Sequence, residues 1–183
     1  MLLVPVPEAA PAVEDWRARY DPSAAAGAPP HITVLYPFLP TFQLTPEILG
    51  KVRALVADQP AFDFDLAGLC AFPDVAYAAP DPAGPFTALT EAMQAAFPDA
   101  RPYGGAFSQV VPHLTLAHRS QLSGMDDWPD SMLRAMGEVL PVRCRANEVW
   151  LMALRGSWRL RARFELGASG ATTAAPQPEL AWA

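Results

Sequence analysis

Two stretches decide the fold: Pro29-Pro30-His31-Ile32-Thr33-Val34-Leu35-Tyr36-Pro37-Phe38 and Val111-Pro112-His113-Leu114-Thr115-Leu116-Ala117-His118. Both are dense in β-branched and aromatic residues, which predicts strands over His31–Phe38 and Val111–His118. Alternation along a strand puts residues i and i+2 on one face. His31 and Thr33 therefore share a face, and so do His113 and Thr115. Ile32 and Val34 point the other way, into a core, as do Leu114 and Leu116.

The two P-H-x-T units lie 82 positions apart. The same offset carries the predicted helix from Thr45 onto one starting near Asp127. It also carries a predicted strand over Phe62–Leu69 onto Cys144–Leu151. One offset aligning strand, helix and strand in the same order predicts two similar lobes, each presenting one His-Thr pair.

The rest of the chain reads outward from these units. Met1–Val6 predicts a strand and Pro7–Tyr20 a helix, with Val13, Trp16 and Tyr20 as its apolar positions. Asp21–Pro30 reads as a loop. Thr45-Pro46 opens a helix running to about Asp58. Phe62-Asp63-Phe64-Asp65-Leu66 alternates strictly and predicts a half-buried strand, turned at Pro73-Asp74 onto Val75–Ala79. Phe86–Phe97 and Trp128–Leu140 predict helices. Val142–Leu154 and Trp158–Leu166 predict a hairpin across Arg155-Gly156-Ser157. Residues 1–166 thus form one bilobal domain, and 167–183 a flexible Ala- and Pro-rich tail. The fold class is α+β: antiparallel sheets flanked by helices, with a central cleft between pseudo-two-fold lobes.

Composition narrows the functional classes. Hydrophobic residues make up 51% of the 183 and charged ones 17%, well under the roughly 25% of an average soluble protein. Nineteen acidic residues against thirteen basic give a net charge of −6. That balance does not suggest a basic surface for duplex DNA. Apolar runs are broken before the length of a membrane span, and the N-terminus lacks a basic signal-peptide region. The expectation is a cytoplasmic monomer outside any membrane. Cys70 and Cys144 form no metal-binding spacing and read as two reduced, buried thiols.

Two of the chain's three histidines sit in H-x-T. Two imidazoles facing one cleft suit general acid–base catalysis at phosphorus, because histidine can give or take a proton near neutrality. Threonine hydroxyls beside them can donate to the non-bridging phosphate oxygens. The catalytic candidates are His31 and His113, and the phosphate-binding candidates Thr33 and Thr115. Tyr103 and Phe107, on a Gly-containing loop, could stack on a base or cap the core. Arg159 shares strand parity with Arg161 and Arg163 and could reach a phosphate; a solvated strand face is the plainer reading. His118 lies five residues after His113, so a regular strand would turn it away from the His face. Its repeat counterpart Tyr36 would turn away likewise. That parity argues against a three-His zinc site, and neither a metal nor a cofactor is expected.

The motifs PPHITVLYPF and VPHLTLAH resemble the paired H-x-T/S motifs of the two-histidine (2H) phosphoesterase superfamily. They are most similar to its LigT-like group of RNA 2′,5′-ligases and 2′,3′-cyclic phosphodiesterases. The resemblance spans about residues 1–166. It implies a bilobal fold and metal-independent opening of 2′,3′-cyclic phosphates, or related 2′,5′ chemistry. It also implies His113 as base and His31 as acid. The single lysine, Lys51, points away from long RNA and toward a nucleotide, an RNA end or a cyclic phosphate metabolite. The alternative is a nucleotide- or RNA-end-binding module of the same fold with little turnover.

Overall fold

The computed structural model describes residues 1–107, 109–122, 132, 134, 136 and 139–167. Its strands are β1 (Leu2–Pro5), β2 (His31–Leu35), β3 (Phe62–Phe72), β4 (Val75–Asp81), β5 (Leu114–His118), β6 (Val142–Ala146), β7 (Glu148–Arg155) and β8 (Ser157–Glu165). Its helices are α1 (Ala10–Tyr20), the short α2 (Pro22–Ala25), α3 (Pro46–Ala57) and α4 (Gly84–Ala96). Thr45 caps α3 as the sequence implies: its hydroxyl accepts from the Ile48 N–H at 3.4 Å, and Pro46 fills the first turn.

All strand pairs are antiparallel, in the order β6-β3-β4-β5-β2-β1-β7-β8. The two lobes therefore share one continuous sheet. β6 and β7 stand first and seventh in that order, yet only Asn147 separates them in the chain. A flat sheet would hold them about 29 Å apart at ~4.8 Å per strand. The sheet must curl to bring them together.

This corrects the expected hairpin. Val142–Leu154 is not one strand: its first part pairs with β3, and only Glu148–Arg155 pairs with β8. Asn147 is where the chain leaves one lobe for the other, with neither Gly nor Pro to announce it. The presumed loop Asp21–Pro30 contains α2, because the Asp21 carboxylate accepts from the Ser23 N–H at 2.8 Å. Cys70 and Cys144 are both free thiols, but Cys70 is exposed rather than buried. It sits toward the far end of β3, opposite Tyr77. The expected helix over Trp128–Leu140 lies largely outside the described residues; Met132, Arg134 and Met136 are helical. The tail beyond Gly167 lies outside them too.

The helices cover one face of the sheet. α1 packs behind β5 and α4 behind β2. Val13, Phe86, Leu89 and Met93 bury against Ile32, Val34, Leu114 and Leu116, each nearly inaccessible to solvent. Phe86 meets Phe62 and Phe64 edge-on, at 4.9 and 5.0 Å between ring centroids. Truncating Phe86 to Ala would cost about 3–5 kcal/mol. The opposite face of the central strands remains for His31, Thr33 and Thr115. Among the described residues no helix is long and apolar enough to cross a membrane.

Candidate functional site

The centre of the molecule is one strand pairing. β2 meets β5 through Ile32 opposite Leu114, residues that are 82 apart and so are each other's repeat equivalents. An antiparallel pairing of equivalents is a local two-fold. Carrying that register one residue each way sets His31 across from Thr115 and Thr33 across from His113. Directly opposed side chains stand about 4.5–5.5 Å apart at Cβ. Each histidine is therefore neighbour to the other lobe's threonine.

The two imidazoles are oriented the same way. His31 Nδ1 lies 2.7 Å from the Pro29 carbonyl, and His113 Nδ1 lies 2.7 Å from the Val111 carbonyl. A carbonyl can only accept, so each Nδ1 carries the proton and each Nε2 keeps its lone pair. The same contact, from the carbonyl two residues back, recurs at both ends of the repeat. β5 itself begins only at Leu114, so this contact, not strand pairing, fixes the His113 ring.

Their surroundings differ. His31 is 9% exposed. Burial pushes its pKa down to about 4, assisted by the charges of Arg17 and His113 and opposed by the Pro29 carbonyl and Asp21. His113 is half-buried and is lowered too, first by burial and then by His118, against the Val111 carbonyl. Its ring stands edge-on to Phe72 at 5.2 Å and to Tyr77 at 5.3 Å, and those two rings stack at 4.3 Å. The two imidazoles thus differ in setting, one enclosed and one against an aromatic wall.

β-Bulges shape the face. The β1–β2 register slips at Val34, and the β4–β5 register slips at Leu116. These positions are again repeat equivalents. Each bulge inserts one residue after the H-x-T and reverses the parity beyond it. His118 pairs with Val75, which shares its face with Tyr77 opposite Thr115. His118 and Tyr36 therefore return to the His face, correcting the expectation that regular strands would turn them away. Among the described residues no group of three or more His, Cys, Asp or Glu is arranged to hold a metal ion.

The bulges also free carbonyls, and helix side chains claim them. The Thr90 hydroxyl of α4 donates to the Val34 carbonyl at 3.0 Å. Arg17 Nε of α1 donates to the Thr115 carbonyl at 3.2 Å.

The remaining candidates divide. The Tyr103 hydroxyl interacts with the Thr33 side chain, which offsets part of the upward push that burial gives its pKa, and its backbone N–H donates to the Tyr36 carbonyl. Its φ of +49°, followed by two glycines at positive φ, turns the loop sharply enough to aim the ring at the site. Phe107, 62% exposed, touches the Tyr103 ring edge-on at 5.5 Å. Arg159 is placed elsewhere. A bulge at Arg161 sets Arg163 opposite Trp150 but Arg159 opposite Ala153, so Arg159 and Arg163 occupy opposite faces. The shared face expected for the three arginines does not survive that extra residue. The row running through Thr33, Leu3, Trp150 and Arg163 lies on the site face, with Arg163 over the Trp150 ring at 4.8 Å. Sequence patterning did not single out Phe72, Tyr77 or Trp150. Only the pairing register, which brings Tyr77 opposite Thr115 and Leu3 opposite Trp150, places them there.

A site with two lone-pair-bearing imidazoles and two hydroxyls can hold a tetrahedral oxyanion and move protons on two sides of it. Comparison with known proteins bears on that chemistry. The model of the 2′-5′ RNA ligase superfamily matches residues 5–158. No curated protein matches the chain by sequence. Among solved structures, TT0787 of Thermus thermophilus is similar with a TM-score of 0.64 at 21% identity, covering 92% of this chain and 98% of that one. E. coli LigT complexed with NADP+ is similar with a TM-score of 0.53 at 21% identity, covering 91% and 95% respectively. E. coli LigT complexed with 3′-AMP gives 0.54 at 19%, covering 90% and 95%. At these identities the structural likeness speaks for the fold.

Proposed function

The chain belongs to the 2′-5′ RNA ligase superfamily, and from that premise we propose that it is a phosphodiesterase using His31 and His113 as paired proton-transfer groups. Its substrates are 2′,3′-cyclic phosphates or 2′,5′-linked nucleotide and RNA ends. The observation that carries the reading is the Ile32–Leu114 pairing, which sets each histidine beside the opposite threonine. Nucleotides in complex with E. coli LigT support a nucleotide-sized substrate.

The proposed steps use that arrangement. Thr33 and Thr115 donate to the non-bridging oxygens and stabilise the charge that builds there. One Nε2 lone pair takes a proton from the attacking water or ribose hydroxyl. The other imidazole, having taken up a proton from solvent on its Nε2, gives it to the ribose oxygen that leaves as the P–O bond breaks. The deeper burial of His31 keeps its lone pair available down to about pH 4, which favours it as base. His113 then serves as acid, the reverse of the order that the resemblance implies. Phe72 and Tyr77 offer a stacking surface beside His113, and Tyr103 with Phe107 a second one beside Thr33.

The test uses 2′,3′-cyclic AMP in EDTA, with products separated by chromatography. Turnover to a single phosphomonoester is expected, and His31→Ala and His113→Ala should each slow it about 10²–10⁴-fold. Binding without product would favour the binding-module reading instead. The acid–base order is tested with a nitrophenyl phosphodiester, whose leaving group needs no proton. His113→Ala should retain much of its rate on that substrate and His31→Ala should not.

A further inference from the structure

The strut behind the second motif is a buried ion pair. Arg17 is 2% exposed and Asp21 2% exposed, and Arg17 Nη2 lies 2.8 Å from Asp21 Oδ2. Arginine is among the residues least often buried, and isolated burial of such a charge is strongly unfavourable. Here every donor group is engaged in building the site. Nε donates to Asp21 at 3.0 Å and to the Thr115 carbonyl at 3.2 Å. Nη1 donates to the Ala28 carbonyl at 3.4 Å, and Nη2 reaches the Ser23 hydroxyl at 3.4 Å. Ser23 in turn donates to Asp21 through both its hydroxyl, at 2.9 Å, and its N–H.

These contacts brace from behind two parts of the active face that meet in front only through the Ile32–Leu114 pairing. Thr115 carries one candidate phosphate donor. Ala28 begins the segment Ala28-Pro29-Pro30-His31, whose Pro29 carbonyl fixes the His31 ring. We propose that Arg17 is a positioning residue that sets His31 against Thr115 by holding the Thr115 carbonyl and the Ala28 carbonyl on one guanidinium. The inference rests on the phosphodiesterase reading above. The planar fork is what permits it: five fixed N–H directions serve a carboxylate and two carbonyls together. Behind β2 the helix side chain is Thr90, a single neutral donor to the carbonyl of Val34, one residue past the threonine. The groups facing Arg17 are Asp21, Glu14, the two carbonyls and Ser23; those facing His31 are Arg17, Asp21, His113 and the Pro29 carbonyl.

The experiment compares four proteins: wild type, Arg17→Met combined with Asp21→Asn, Arg17→Lys, and Val56→Ala as a core variant remote from the site. The paired variant leaves no lone buried charge, and its introduced amide can still accept from the Ser23 N–H. Two readouts are taken: steady-state hydrolysis of 2′,3′-cyclic AMP, and the His31 tautomer from long-range nitrogen–proton NMR. The paired variant should lose about 10–10²-fold in kcat with little change in KM, as a misplaced group does. His31 should pass from the Nδ1–H form to a mixture of tautomers. Arg17→Lys, a point charge without the fork, should keep the melting temperature nearer to wild type than the kcat. Val56→Ala should melt lower yet keep its kcat and its His31 tautomer. An unchanged kcat and tautomer in the folded paired variant overturns the proposal. Absence of turnover in wild type would instead overturn the phosphodiesterase reading, while the tautomer would still decide the role of Arg17.

Discussion

The half of the site built on β2 and the half built on β5 are alike in chemistry and unlike in support. Each has Pro-His-x-Thr, a carbonyl two residues back that orients the imidazole, and a bulge one residue after the threonine. Each bulge frees a carbonyl that a helix behind the strand takes up. The supports diverge: a threonine hydroxyl behind one strand, a buried Arg-Asp pair behind the other. The rings diverge as well, His31 enclosed and His113 against Phe72 and Tyr77. What the halves share follows the repeat offset of 82 residues. On the proposed mechanism, the differences would let two identical imidazoles take different tasks on one phosphate.

That comparison can be broken most severely at the imidazoles. His31→Ala and His113→Ala should each lower kcat about 10²–10⁴-fold, as loss of a general acid or base does. Equal activity in either variant would remove that residue from the mechanism. Thr33→Val and Thr115→Val come next, at roughly 10–10³-fold, since each removes an oxyanion donor while keeping shape. Matched losses would extend the symmetry to the hydroxyls, and a loss in only one would confine phosphate binding to one lobe.

Smaller effects fall on stability. Thr90→Val strands the Val34 carbonyl and should destabilise the fold by about 1–3 kcal/mol in denaturant unfolding. No change would mean that this carbonyl has another partner. The pH dependence follows from His31, whose pKa is about 4 in the folded chain against about 6.5 unfolded. The unfolded state binds more protons between those values, so stability should fall as pH drops through that window, by up to about 3 kcal/mol. His31→Ala should flatten this stretch of the curve; an unaltered slope would mean His31 is not held neutral.

Much of this was legible in the residues. The H-x-T parity, the offset of 82 and the strand bearing each motif could be read because alternation and repetition leave marks in sequence. The bulges could not. One extra residue at Val34, Leu116 or Arg161 leaves no compositional trace, yet it reverses every side chain beyond it. Tyr36, His118 and Arg159 were misplaced for that single reason. Arg17 was missed for another: a charged residue on an amphipathic helix reads as solvent-facing, and its buried partners come from distant segments. The break at Asn147 carries neither Gly nor Pro, and only closure of the curled sheet requires it.

The central claim is that both histidines act on one phosphate across the local two-fold. The most direct test is a double-mutant cycle on 2′,3′-cyclic AMP hydrolysis, with His31→Ala, His113→Ala and the two combined. Groups that act as a unit lose most of their effect at the first removal. The double variant should therefore be scarcely slower than the worse single one. Losses that multiply in full would contradict the claim and make the two histidines independent contributors.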